Sequence, residues 1–204
     1  MKIHKLVSDY YDANVFVLEK SGNCLIVDSG VNIELIKKVV GDKKVLGVLL
    51  THGHYDHSRY CNEYAREFDC KVYANKNVVK TMTDSEAVYS PNGETINDFS
   101  KFCFIDGDKN LKLDDFAIDC YYCPGHSICS ECYLIEKNLF AGDVLFDKGF
   151  GRVDLKFSDK EKMLKSLTKL ESVKFQTLYS GHGGESGYQN QIRNISLFKK
   201  FLSR

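Results

Sequence analysis

The sequence predicts an α+β fold in which two β-sheets pack face to face with helices on the outside. Three observations carry this. Short runs rich in β-branched residues alternate with segments of helical period, in the order strands, helix, strand, helix, strands, helix, strand, helix. Helices therefore close each strand-rich half, an order that two packed sheets satisfy. The 204 residues contain no internal repeat, low-complexity tract or Pro/Ser-rich linker, so residues 1–204 are expected to form one domain.

Taken in order, Ile3–Val7, Val15–Glu19 and Cys24–Asp28 read as strands separated by turn material such as Ser21-Gly22-Asn23. Val31–Val40 carries Ile33, Ile36, Val39 and Val40 at helical spacing, and Val45–Leu50 is a compact apolar run suited to a strand buried on both faces. Past Thr51, the residues Tyr60, Cys61, Tyr64, Ala65 and Phe68 return to helical period. Lys71–Ala74 is a brief strand, followed by a weakly patterned stretch to about Asp98. Phe102 to Asp147 is strand-like, with Phe116–Cys123, Cys132–Glu136 and Leu139–Ala141 the clearest runs. Ser158-Asp159-Lys160-Glu161 has the form of a capping box with Ser158 as the cap, opening a helix through Met163, Leu164, Leu167 and Leu170. Thr177–Ser180 is the last expected strand, and Ile192, Ile195, Phe198 and Leu202 mark an amphipathic C-terminal helix.

Composition excludes several classes. Lys+Arg and Asp+Glu both number 28, so the formal net charge is zero, which disfavours nucleic acid and anionic membranes as partners; the expected partner, a small-molecule substrate, follows from the motifs below. Val45–Leu50, the longest purely aliphatic and glycine run, is six residues, against the roughly twenty that a spanning helix needs. The first fourteen residues break their apolar stretches with Lys, His and Asp, so the expectation is a cytoplasmic chain whose 8 Cys are reduced thiols. Two C-x2-C pairs, Cys120/Cys123 and Cys129/Cys132, flank His126. The five residues between the pairs are too few for a zinc ribbon. Cys120 and Cys123 should also point to opposite faces of a strand. Buried free thiols are the expectation, with a thiol-based metal or redox module as the alternative from another class.

Five of the six histidines lie in short Gly- and Asp-rich segments; His4, the sixth, is expected at the surface ahead of the first strand. Thr51-His52-Gly53-His54-Tyr55-Asp56-His57 follows the buried strand directly, placing four metal-ligand types within six residues. A turn at Gly53 lets His52 and His54 converge on one cation while Asp56 and His57 converge on another. Such N/O donors suit zinc, with iron and manganese as alternatives. His126, Asp143 and His182 each sit beside glycine at a strand end, and strand ends on one sheet edge are where sites assemble.

This set, His52-x-His54-x-Asp56-His57 with His126, Asp143 and His182, resembles the five-motif pattern of the metallo-β-lactamase superfamily. Asp28 in Val27-Asp28-Ser29-Gly30 matches its first motif. The resemblance implies an αββα sandwich of two mixed sheets, with the site in a cleft at one edge. It implies two divalent metal ions: His52, His54 and His126 for the first, Asp56, His57 and His182 for the second, and Asp143 bridging. Asp28 would orient a ligand histidine, and Asp56 would act in catalysis by orienting a metal-bridging hydroxide. The full second-metal set resembles the glyoxalase II-like branch, as do Gly142-Asp143-Val144-Leu145-Phe146 and Gly151-Arg152-Val153-Asp154-Leu155. Arg152 and Asp154 read by themselves as an ion pair pinning a loop, or as substrate contacts.

The implied activity is hydrolysis of a thioester such as an S-acyl glutathione. The rival is a persulfide dioxygenase-like enzyme with one iron. Full-size glyoxalase II enzymes add a C-terminal helical region, whereas 22 residues follow His182 here, which resembles the short members of the branch. Tyr55, Tyr121 and Phe150 are the aromatic candidates for lining the cleft.

Overall fold

The computed structural model describes residues 1–202. In chain order its elements begin β1 (Lys2–Val7), β2 (Asn14–Lys20), β3 (Asn23–Val27), α1 (Ile33–Val40), β4 (Lys44–Leu49), α2 (Tyr55–Ser58) and α3 (Cys61–Glu67). They continue with β5 (Lys71–Asn75), α4 (Val78–Met82), β6 (Phe102–Ile105), β7 (Lys109–Leu113), β8 (Phe116–Tyr122) and β9 (Glu131–Ile135). Last come β10 (Asn138–Gly142), α5 (Lys160–Ser172), β11 (Thr177–Ser180), β12 (Glu185–Gly187) and α6 (Tyr188–Leu202).

The first six strands form one sheet in chain order and the last six form the other, in the order β12-β11-β10-β9-β8-β7. Both sheets are mixed. In the first, β1 to β3 run antiparallel and β3 to β6 parallel. In the second, only β10 and β11 are parallel. The period-2 alternation of β2 shows how the layers are sorted. Phe16 and Leu18 point into the core between the sheets, with Leu25, Leu49, Phe116, Tyr133 and Phe140. Val15 and Val17 point the other way, against Ile36, Tyr64 and Met82 of the helices on that face. On the far face of the second sheet, Leu139 and Leu178 meet Met163, Leu167 and Leu170 of α5 and Ile195 of α6. Cys120 lies in the core between the sheets while Cys123 lies under the helices, so the two thiols do face opposite ways.

Local signals explain the ends of α1. The Asn32 side chain accepts from Glu34 N at 2.9 Å, and Gly41 at φ +60° takes the chain out of the helix.

Four expectations are corrected. The cap of α5 is Asp159, whose carboxylate accepts from Lys162 N at 2.9 Å; Ser158 instead donates to Leu155 O at 2.7 Å in the preceding turn. His4 lies within β1, with its ring nitrogen 3.2 Å from Glu19, because the facing strand supplies a carboxylate. The weakly patterned stretch contains α4, and a strand, β12, follows Thr177–Ser180. Five and three residues are too few to print a period.

Candidate metal centre

Five segments reach one edge of the sandwich from strand ends: Asp28 after β3, residues 52–57 after β4, His126 after β8, Asp143 after β10 and His182 after β11. The structure brings all eight of these predicted side chains together. His54 Nδ1 lies 3.1 Å from His52 Nε2 and 3.0 Å from His126 Nε2. His57 Nε2 lies 3.2 Å from His182 Nε2. Asp56 is 3.3 Å from His182. The Asp143 carboxylate stands between the groups, 3.4 Å from His57, 3.5 Å from His126 and 3.4 Å from His182.

What the outward-facing nitrogens do determines what the inward-facing ones present. Asp28, held at φ +63°, accepts from Thr51 N at 2.8 Å and from Thr51 Oγ1 at 2.9 Å. Its Oδ2 also lies 2.8 Å from His57 Nδ1, and a carboxylate can only accept, so that nitrogen carries the proton. Because Thr51 spends its hydroxyl proton on Asp28, its oxygen accepts from His52 Nδ1 at 3.1 Å. His126 Nδ1 donates to the Arg152 carbonyl at 3.0 Å. With those protons assigned, His52 and His126 turn bare Nε2 lone pairs toward His54. A single proton on His54 Nδ1 could serve only one of these lone pairs, 3.0–3.1 Å away, whereas a cation among the three nitrogens would satisfy them all. Asp143 Oδ1 is buried without a hydrogen-bond partner, which points the same way. Three groups could each hold a metal ion: His52/His54/His126, His52/His57/Asp143 and Asp56/His57/His182.

Electrostatics divides the cluster. Burial pushes His54 down to about 3 and His52 well below its usual value, keeping both neutral and free to donate lone pairs. Burial also opposes charge on His57 and His182, but Asp56 and Asp143 outweigh it and raise them to about 9 and about 11. The same histidines hold the buried Asp143 carboxyl well below the ordinary carboxylate range.

Backbone fit is tight. A Cβ on Gly181 would lie 2.1 Å from Asp143 Oδ1, so glycine is required there. Asn14 is buried and clamps the His182 loop. Its backbone N donates to Gly181 O at 2.7 Å and its side-chain amide to Ser180 O at 2.9 Å and Gly183 O at 3.2 Å. Sequence reasoning missed Thr51, Asn14, Gly181 and the Arg152 carbonyl. Gly181, next to His182, carried a local signal; Asn14, 168 positions away, carried none.

A cavity of about 620 Å³ opens over the cluster, lined by Tyr10, Tyr11, Tyr89, Pro91, Arg152 and Leu155 beside the histidines and carboxylates. The aromatic candidates are corrected. Tyr55 donates to Glu94 at 2.5 Å, Tyr121 packs under the helices and Phe150 lies against Phe198. The apolar layer on the helix side of the second sheet draws the last two away. Arg152 and Asp154 form the expected ion pair through two contacts of 2.9 Å. All eight cysteines are free thiols, and all but Cys103 are buried.

Among known proteins, the chain is 32% identical over 194 residues to the probable metallo-hydrolase YqgX of Bacillus subtilis, covering 91% of this chain and 92% of that one. It is 31% identical to a hydroxyacylglutathione hydrolase of Salmonella typhi, covering 95% of this chain and 68% of the relative. The fold superposes on the B3 metallo-beta-lactamase BLEG-1 with a TM-score of 0.86 at 24% identity, covering 100% of both chains. Residues 9–182 match the metallo-beta-lactamase superfamily, and the chain belongs to it.

Proposed function

We propose that this protein is a binuclear metallohydrolase acting on a small-molecule thioester. His52, His54 and His126 would hold one divalent cation, and Asp56, His57 and His182 the second, with the Asp143 carboxylate standing between the two groups. Zinc is the proposed metal, because imidazole nitrogen and carboxylate oxygen are donors that it accepts readily. The observation that carries the reading is the set of inward lone pairs whose opposite ring nitrogens are already tied to Thr51, Asp28 and the Arg152 carbonyl. Bound cations would supply Lewis acidity for the scissile carbonyl and bring the pKa of water down to about 7.

The chain's own groups do the rest. Asp56, 3.3 Å from His182 and 3.6 Å from His57, orients the attacking water. Asp28 keeps His57 in one tautomer and one orientation. Water adds to the carbonyl carbon, the C–S bond breaks, and the departing thiolate takes up the proton that the water releases, leaving a carboxylic acid and a thiol. The similarity to a hydroxyacylglutathione hydrolase supports a thioester, and S-acyl glutathione is the first such substrate to test.

The experiment combines metal quantification with a panel of thioesters, lactones and phosphodiesters, with and without chelator. Two ions per chain and thioester hydrolysis that chelator abolishes are expected. Failure of the metal-loaded protein on the whole panel overturns the reading. One iron per chain with oxygen uptake on glutathione persulfide replaces it with the dioxygenase.

A further inference from the structure

The cavity above the metal cluster has walls from three places. Tyr10 and Tyr11 come from the β1–β2 connection, Tyr89 and Pro91 from the segment after α4, and Leu155 and Arg152 from the stretch before α5. Tyr10 OH donates to Tyr89 O at 3.4 Å, joining two of them. The Tyr89 ring also stands edge-on to His54, with centroids 5.1 Å apart. A substrate whose carbonyl reaches the cluster therefore lays its remainder against phenol rings, proline and leucine.

Three cations around the mouth are already paired with carboxylates, and Lys5 donates to the Gly183 carbonyl. Arg152 is the only lysine or arginine among the described lining residues, and Asp154 occupies its guanidinium fork through two contacts of 2.9 Å. Lys156, whose backbone N donates to Tyr89 OH at 2.6 Å, is held by Asp84 at 2.8 Å and Glu86 at 2.7 Å. Arg59, beside Tyr10, is taken by Asp9 at 2.5 Å. Each of these three cations has its own carboxylate, and nearby Glu94 adds another negative charge bound to Tyr55. A peptide thiol such as glutathione carries two carboxylates, and recognising them calls for uncommitted, preferably bidentate cations. Asp154 already offsets the charge of Arg152 along its Nε–Nη2 edge, which weakens the pull of that guanidinium on a substrate carboxylate.

We propose that this cavity selects thioesters whose thiol and acyl portions are uncharged and whose acyl portion carries a ring, over thioesters of an anionic peptide thiol. Planar rings stack or pack edge-on against tyrosine at centroid separations of about 4.5–7 Å, and an uncharged thiol places no charge against the acidic rim. This inference rests on the thioesterase reading and narrows it to a substrate class.

The test crosses two variables on the metal-loaded wild-type protein: phenylacetyl or acetyl as the acyl group, N-acetylcysteamine or glutathione as the thiol. With the phenylacetyl group fixed, kcat/KM is expected to be at least tenfold higher for N-acetylcysteamine than for glutathione. With N-acetylcysteamine fixed, phenylacetyl is expected to exceed acetyl at least tenfold, and Tyr89→Ala is expected to reduce that second ratio below threefold. A glutathione ester turned over as fast as the neutral one, or an acetyl ester as fast as the phenylacetyl one, overturns the proposal while leaving the thioesterase reading intact. Hydrolysis of none of the four esters by protein carrying two metal ions overturns the thioesterase reading itself.

Discussion

Asp28 and Thr51 show how much of a metal site is decided by residues that never touch the cation. The carboxylate takes both Thr51 protons and lies against His57, so one buried anion sets the tautomer of His57 directly and of His52 through a hydroxyl. Thr51→Val keeps the shape and removes the relay, leaving His52 Nδ1 without an acceptor. Such supporting changes typically cost 10–100-fold in metal affinity. We expect Thr51→Val to weaken the first ion by that amount, while Asp28→Asn, which loses the partner of His57, weakens the second ion as well. Competition titrations against a chromophoric chelator read both constants. Equal affinity in Thr51→Val and wild type would remove the relay from the account.

At the scale of elements, the sequence pattern located most strands and helices, because burial on alternating or helical faces is written locally. Val15 to Leu18 alternate between two cores, and the same alternation is visible in the letters. The histidine cluster was legible for a related reason, since four of its ligand types are near neighbours in sequence. Asn14 was not legible. It is the first residue of a strand, and its role appears only when β2 lies beside the loop after β11. We expect Asn14→Ala to slacken that loop and weaken the second ion about tenfold or more with the first ion retained, read by cobalt titration and its visible spectrum.

Glu131, at the start of β9, is a second feature that only the assembled sheets reveal. Its side chain is buried, accepts from Asn75 at 3.0 Å on one oxygen and has no partner on the other. Burial pushes its carboxyl up to about 8. A carboxyl raised in the folded state is fully accommodated below about 4.5, its unfolded value, and progressively destabilises the fold as pH rises from there to about 8. Glu131→Gln removes that cost. Denaturant titrations of metal-loaded protein should therefore show the variant gaining on wild type between pH 5 and pH 8, by about 3 kcal/mol at the upper end. Parallel pH profiles for the two proteins would show that the carboxyl stays ionised.

For the whole molecule, cations bound only by the folded state stabilise it by mass action. At free metal about one hundred times the dissociation constant, the gain is about 2.7 kcal/mol per ion, and a domain of this size shifts by about 2–4 °C per kcal/mol. Chelation should therefore lower Tm by about 5 °C or more, which scanning calorimetry resolves. An unchanged Tm would mean that the ligand cluster holds no metal in the loaded protein.

The division of the chain between the sheets gives the metals a mechanical role. Residues up to Ile105 build one sheet with its helices, and residues from Lys109 onward build the other. The candidate ligands divide along the same line: His52, His54, Asp56 and His57 in the first half, His126, Asp143 and His182 in the second. A bound cation would therefore act as a rivet through two separately wound plates, pulling together side chains 72 and 125 positions apart. Hydrogen exchange should slow on both sides of the seam when metal is added, with β3 and β4 gaining protection together with β10 and β11 across a core that contains no ligand at all.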